Sequence, residues 1–200
     1  AGETPAATAP AGDYALDPAH CSVLFRVVHL GLSHYTARFT RVDAELHFGP
    51  SHPENSSVTA TVDPHSIQTD YPNPKPDFDA ELQNDHWLDS AKYPLMKFHS
   101  TKVEATGSNT GRMTGDLELH GVTHPVTLDV TYNGYMHLDM GAPGDHVGFS
   151  AHGTLKRSDF GVKEGIPAPG SNMGVGDDVE IVIEAEFVKT APAAKTPEHK

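Results

Sequence analysis

Cysteine is all but missing from this chain. Cys21 is the single one in 200 residues, so no disulfide can form within the chain, and a chain of this length can bury a hydrophobic core without that staple. Positive charge is scarce too: 14 Lys and Arg stand against 27 Asp and Glu, a formal net charge of −13 with histidine neutral. That deficit argues against nucleic acid and against an anionic membrane surface as main partners. No apolar run is long enough to cross a bilayer as a helix. Three chemical signatures are also missing. Without Gly-x-Ser-x-Gly there is no strained nucleophile turn. Without His-Glu-x-x-His no helix face offers a zinc pair, and without Cys-x-x-Cys-His there is no haem attachment.

What is present points to one folded domain with plain ends. Hydrophobic residues make up 37% and charged residues 20%, which suits a globular chain. Residues 1–12 (AGETPAATAPAG) and 190–200 (TAPAAKTPEHK) are rich in Ala, Pro and Thr. With little apolar bulk to offset the entropy of ordering, both are expected to be flexible tails around a folded body at 13–189. The alanine start and its composition read as a mature end left after signal-peptide removal, so an exported protein is expected.

Inside the body the dominant signal has period two. Val179, Ile181, Ile183, Ala185 and Phe187 alternate with Glu180, Glu184 and Glu186, giving one apolar and one acidic face, as a half-buried antiparallel strand requires. The pattern recurs from Val147 to Leu155, Val42 to Phe48, Val126 to Tyr132, and around Leu117 and Leu119. Shorter runs are Val58-Ala60-Val62 and Met96-Phe98, and Val23 to Leu30 is apolar on both faces. About eight strands follow, separated by Gly, Pro, Asn and Asp clusters. With few helices to cover the apolar faces, the all-β sheet is expected to close on itself, and an eight-stranded barrel holds one small ligand. Small residues on the inner faces (Ala44, Ala60, Gly115, Ala151, Gly153) either accommodate taper or leave room. Residues 77–89 break the pattern: Phe78 and Leu82 stand at i,i+4 behind Asp77, which predicts a short capped helix that plugs one barrel end.

Candidate chemistry is sparse. The fourteen histidines are scattered, and His120 and His124 sit in a turn with Gly121 and Pro125, so they read as surface and turn residues. Cys21 adjoins His20, but neighbours on a strand point to opposite faces, which argues against a Cys–His nucleophile. A buried thiol is the plainer reading, and a thiol pairing two chains into a homodimer is the second. Paired carboxylates for glycoside chemistry stay open, although most acidic groups read as a solvated face. At Lys156–Gly161, Arg157 and Asp159 share a face if the strand continues. They form either a cross-strand ion pair over a core Phe160 or a polar rim at a cavity mouth.

Several segments, in order, carry a resemblance: Tyr14–His20, Val23–Gly31, Ser66–Thr69, Phe78–Leu82, Trp87–Asp89, Tyr93-Pro94, Phe98–Ser100, Gly115–Val126 and Arg157–Gly161. Together they resemble the YceI-like family of exported bacterial proteins over about residues 13–188. The chain departs from the family at Cys21, where serine is usual, and at Ala37, where glycine is common. The resemblance implies an extended eight-stranded antiparallel, lipocalin-like barrel with a short helix, located in the periplasm. It implies a long isoprenoid lipid, polyprenyl phosphate or quinone-like, in an apolar interior, with no catalytic residues, metal or cofactor. The expected wall residues are Phe25, Val27, Phe39, Leu46, Phe98, Leu119, Phe149 and Phe160. The expected rim groups are His29, Arg157 and Asp159. The competing readings are an exported metal- or haem-binding redox accessory protein using histidines or Cys21, and an enzyme acting on a small molecule.

Overall fold

The computed structural model describes residues 8–191. Ten strand segments run in chain order: β1 (Gly12–His29), β2 (Ser33–Phe39), β3 (Val42–Phe48), β4 (Ser57–Val62), β5 (Ile67–Gln68), β6 (Met96–Ala105), β7 (Thr110–Leu119), β8 (Val122–Leu138), β9 (Gly144–Lys156) and β10 (Val175–Lys189). They are all antiparallel neighbours in one sheet, and β10 returns to pair with β1.

Register explains why ten segments make eight staves. β2 and β3 both pair with the same edge of β1, with Val23 opposite Phe39 and Tyr14 opposite Leu46, so they are one strand kinked at Thr40 and Arg41. β4 pairs with β3 and β5 with β2, so these two are also one strand, broken at 63–66. The buried Ser66 hydroxyl joins the two breaks: it accepts from the backbone N–H groups of Thr40 and Arg41 and donates to the Asp63 carbonyl. Amides that lose their ladder partners at the kink thus gain others. The result is a closed eight-stranded antiparallel barrel.

Period two places the apolar faces inward and the charged faces outward, the reverse of a lipid-embedded barrel. No helix among the described residues is long and apolar enough to cross a membrane. Two clusters form the core. One contains Ala9, Tyr14, Leu46, Phe48, Val147 and Phe187, the other Val126, Leu128, Leu155 and Phe160. The inner small residues divide in role. A Cβ at Gly115 would overlap the Phe98 ring, so that glycine makes room for an aromatic side chain rather than for a ligand.

Two expectations change. Strand β1 starts at Gly12, Ala9 is buried, and the Tyr14 hydroxyl donates to the Pro10 carbonyl at 2.6 Å, so the N-terminal segment is anchored from Ala9 onward. Thr190 likewise donates to the Asp13 carbonyl. The rest of both expected tails, 1–7 and 192–200, lies outside the described residues. The helix expected over 77–89 is one turn, α1 (Phe78–Glu81), with Asp77 as its cap accepting from the Ala80 amide. Beyond Leu82 the chain runs in successive turns, because Asn84, Asp85, Asp89 and Ser90 favour local side-chain and turn bonding over helix.

Candidate functional site

The barrel holds a partly open cavity of about 820 Å³, within the range of small-molecule sites. Its walls are inward side chains of every strand, nearly all apolar. The floor is a set of aromatic rings. Phe48 meets Tyr14 at 6.1 Å, Tyr132 at 5.3 Å and Phe149 at 5.5 Å between centroids, and Phe149 in turn meets Phe187 at 6.0 Å. Burial pushes the Tyr14 hydroxyl up to about 12, so it remains a neutral donor.

The other end is built differently. β5 is two residues long and has no ladder to β6, and segment 69–95 covers the gap. This lid hangs on polar anchors. The Asp79 carboxylate accepts from both the amide and the hydroxyl of buried Thr69, and the Tyr35 hydroxyl donates to the Thr69 carbonyl at 2.7 Å. Tyr71, Phe78, Leu82, Trp87 and Leu88 turn inward from the lid to line the cavity.

Arg157 sits beneath the lid. Strand β9 stops at Lys156, and a turn of 3-10 helix (Arg157–Phe160) follows, closed by Gly161 in the left-handed region at φ 76°. This turn directs Arg157 inward. It is 5% exposed and borders the cavity. Its Nε donates to the Gly176 carbonyl at 2.9 Å, Nη1 to Val162 at 3.0 Å and Nη2 to Val175 at 2.7 Å, while the guanidinium lies 5.3 Å over the Trp87 ring. Burial pushes its pKa down, with Asp177 and Glu164 pulling the other way. Three of its five N–H groups thus hold loop 161–176, and the guanidinium face on Trp87 joins that loop to the lid.

The expected site residues separate accordingly. Phe25, Val27, Phe39, Leu46, Phe98, Leu119 and Phe149 line the cavity, as do His29 and Arg157; Phe25 and Phe39 stack at 5.3 Å. Asp159 and Phe160 do not line it. The expectation that Arg157 and Asp159 share a face fails because the strand ends before them. Asp159 points outward, 3.6 Å from His124, and Phe160 is fully buried in the second core cluster. Phe48 was visible in the alternation from Val42 but was not singled out. Tyr35 stands in the same kind of alternation with Ala37 and Phe39, whereas Thr69 and Tyr71 lie in a non-periodic stretch and carry no comparable signal.

Cys21 lines the cavity, half-buried and free, and burial raises its pKa. Outside, β1 bulges: Leu16 opposes Phe187, yet Cys21 opposes Ala185, leaving residues 17–20 across from Glu186. The bulge gathers Asp17, His20 and Glu186, the one group of three possible metal ligands among the described residues. Nδ1 of His20 lies 2.8 Å from Asp17 and 3.3 Å from Glu186. The hydrogen bond His20 donates to Asp17 raises the His20 pKa, and Glu186 adds to it, which is the arrangement of an exposed ion pair.

A barrel of this topology, apolar within and lidded at one end, agrees with the family comparison: the model of the YceI-like domain matches residues 14–187. The chain belongs to the YceI-like family. Among curated relatives, a UPF0312 protein of Pseudomonas savastanoi pv. phaseolicola is 37% identical over 160 residues, covering 79% of this chain and 80% of the relative. Among solved structures, the Campylobacter jejuni YceI protein superposes with a TM-score of 0.68 at 29% identity, covering 82% of this chain and 90% of that one. A domain from Saccharophagus degradans, described as polyisoprenoid binding and implicated in plant cell wall breakdown, shares the fold at a TM-score of 0.57. It is 14% identical, with 88% of this chain and 98% of that one covered. The cavity described above is therefore the interior of a YceI-like barrel.

Proposed function

We propose that this YceI-like protein binds a long-chain isoprenoid lipid, of polyprenyl phosphate or quinone-like type, as cargo in the periplasm, and that it is a carrier rather than an enzyme. The observation that carries the reading is the 820 Å³ apolar cavity inside the barrel. Hydrocarbon buried there contributes about 0.8 kcal/mol per methylene, so a long chain binds well with few polar contacts. Polar groups for the head line the cavity at both ends: His29, Tyr35 and Arg157 at the lidded end, and Ser108, Asn109, Thr110 and Arg112 at the β6–β7 hairpin. The polyisoprenoid binding ascribed to the Saccharophagus domain supports the same ligand class.

The test is native mass spectrometry of the untagged chain, followed by delipidation and titration with a polyprenyl phosphate, a ubiquinone analogue and a fatty acid. An extractable isoprenoid, or rebinding of one of the first two probes in preference to the fatty acid, is the expected result. Failure to bind any isoprenoid overturns the ligand class; stoichiometric metal in the native spectrum would favour the redox-accessory alternative. Fractionation of producing cells tests the periplasmic location.

A further inference from the structure

Two loops meet at the end of the barrel beside the lid. The β1–β2 turn (residues 30–32) and the loop at 165–174 are tied by the Leu30 amide donating to the Gly174 carbonyl at 2.9 Å, and Gly31 packs so closely on Asn172 that a Cβ would come within 2.8 Å. Their tips expose large apolar side chains: Leu32 is 82% exposed, Met173 79% and Leu30 36%. Single exposed apolar residues need no explanation, but a group on touching loops does.

The charge pattern of these two loops differs from that of the whole chain and from that of the lid beside them, which carries Asp70, Asp77, Asp79, Glu81, Asp85 and Asp89. Residues 27–37 and 165–176 contain no Asp or Glu, and none occurs anywhere from 18 to 42, in a chain with 27 of them. The neighbouring charges are accounted for. Arg26 faces Glu180 at 3.7 Å, Asp177 accepts from Ser158, Asp178 faces Lys156, and Glu164 at the loop's base faces His86 of the lid at 3.6 Å. The opposite end also exposes methionines, Met136 and Met140, but Asp139 and Asp145 lie in the same hairpin. Of these two tips, this one has no carboxylate within its own loops. It is also the tip next to the cavity, since His29 and Val175, which flank the two loops, line the interior.

We propose that this end docks on a zwitterionic phospholipid bilayer, with Leu32 and Met173 entering the boundary between head groups and acyl chains. An uncharged loop pair with apolar tips pays no electrostatic penalty on entering that boundary. The net charge of −13 limits approach to an anionic surface and keeps insertion shallow and reversible. Docking here sets the cavity against the membrane, so an apolar cargo need not cross water. The docking is driven by side chains outside the cavity and does not depend on which lipid the cavity holds.

The experiment is co-sedimentation of the full chain with phosphatidylcholine vesicles, in low and high salt, with cargo content measured on the same samples. The wild type is expected to partition onto the vesicles with little salt dependence, and less onto vesicles enriched in phosphatidylglycerol. The double variant Leu32→Ser, Met173→Ser should lose about tenfold or more in partitioning, with unchanged melting temperature and cargo content. Met140→Ser should leave partitioning as it was. A wild type that stays in the supernatant, or a double variant that sediments equally, overturns the proposal. So does a dimer of the wild type, seen by analytical ultracentrifugation, that the double variant abolishes, because the face would then join two copies. Lost cargo with intact docking would instead count against the carrier reading.

Discussion

The two ends of the cavity are built by different physics. At the floor, rings projected by regular strands pack edge to face: Tyr14, Phe48, Tyr132, Phe149 and Phe187 come from β1, β3, β8, β9 and β10, and their positions follow from register alone. At the lid, an irregular segment is tied down by point contacts: Asp79 on Thr69, Tyr35 on Thr69, and Arg157 under Trp87. A packed cluster fails as a unit, whereas a tethered segment can open locally while the barrel stays folded. The comparison assigns stability to the floor and access to the lid.

The sharpest way to break that assignment is Phe48→Ala. Phe48 is 6% exposed and touches three other rings, so truncation removes buried area and leaves a void. The expected cost is about 3–5 kcal/mol, read as a shift of the urea midpoint at unchanged slope. A shift under about 1 kcal/mol would mean the floor is loosely packed and the division of labour wrong. At the lid, Arg157→Leu keeps apolar bulk but strands three carbonyls, at Gly176, Val162 and Val175. Unmade bonds to buried acceptors cost about 1–3 kcal/mol. Hydrogen exchange should quicken in 161–176 and in 82–93, and ligand should dissociate faster, while exchange in β8 to β10 stays slow. Uniformly faster exchange would show that Arg157 supports the barrel itself rather than its lid.

The same comparison explains what could be read from the sequence. The floor and walls were legible because strand alternation is a local signal: Val42, Ala44, Leu46 and Phe48 announce an inward face before any partner is known. That the barrel has eight staves was also legible, although the kinks at Thr40–Arg41 and 63–66 were not, since they rest on one serine hydroxyl bonding across the sheet. The lid has no period. Its helix is one turn, and Trp87 meets Arg157, a residue 70 positions away in the sequence. Asp159 and Phe160 were misplaced for a related reason: extending β9 by three residues is reasonable on alternation, but a 3-10 turn at Arg157 rotates every later side chain. The assignment of a lipid, as distinct from a cavity, came from family resemblance and not from the strand pattern.

The smallest effect tests the join between those two regimes. Asp177, at the start of β10, holds the 3-10 turn in place by accepting from the Ser158 amide at 2.8 Å and the Ser158 hydroxyl at 2.6 Å. Burial alone would raise its pKa, but the Ser158 hydrogen bonds, with Lys156 and Arg157 nearby, leave it below the ordinary carboxylate value. The folded state therefore binds fewer protons at this site than the unfolded state does. Its contribution is complete above the unfolded pKa of about 3.9 and drains away as pH falls through the lower folded value. Asp177→Asn should accordingly melt below the wild type at pH 6, by an amount that narrows as pH drops from 5 towards 3. The partial exposure of the site keeps that gap to a few degrees at most. A gap that holds constant with pH would mean the Ser158 contacts act as neutral hydrogen bonds, and that the turn placing Arg157 beneath the lid does not depend on the charge of Asp177.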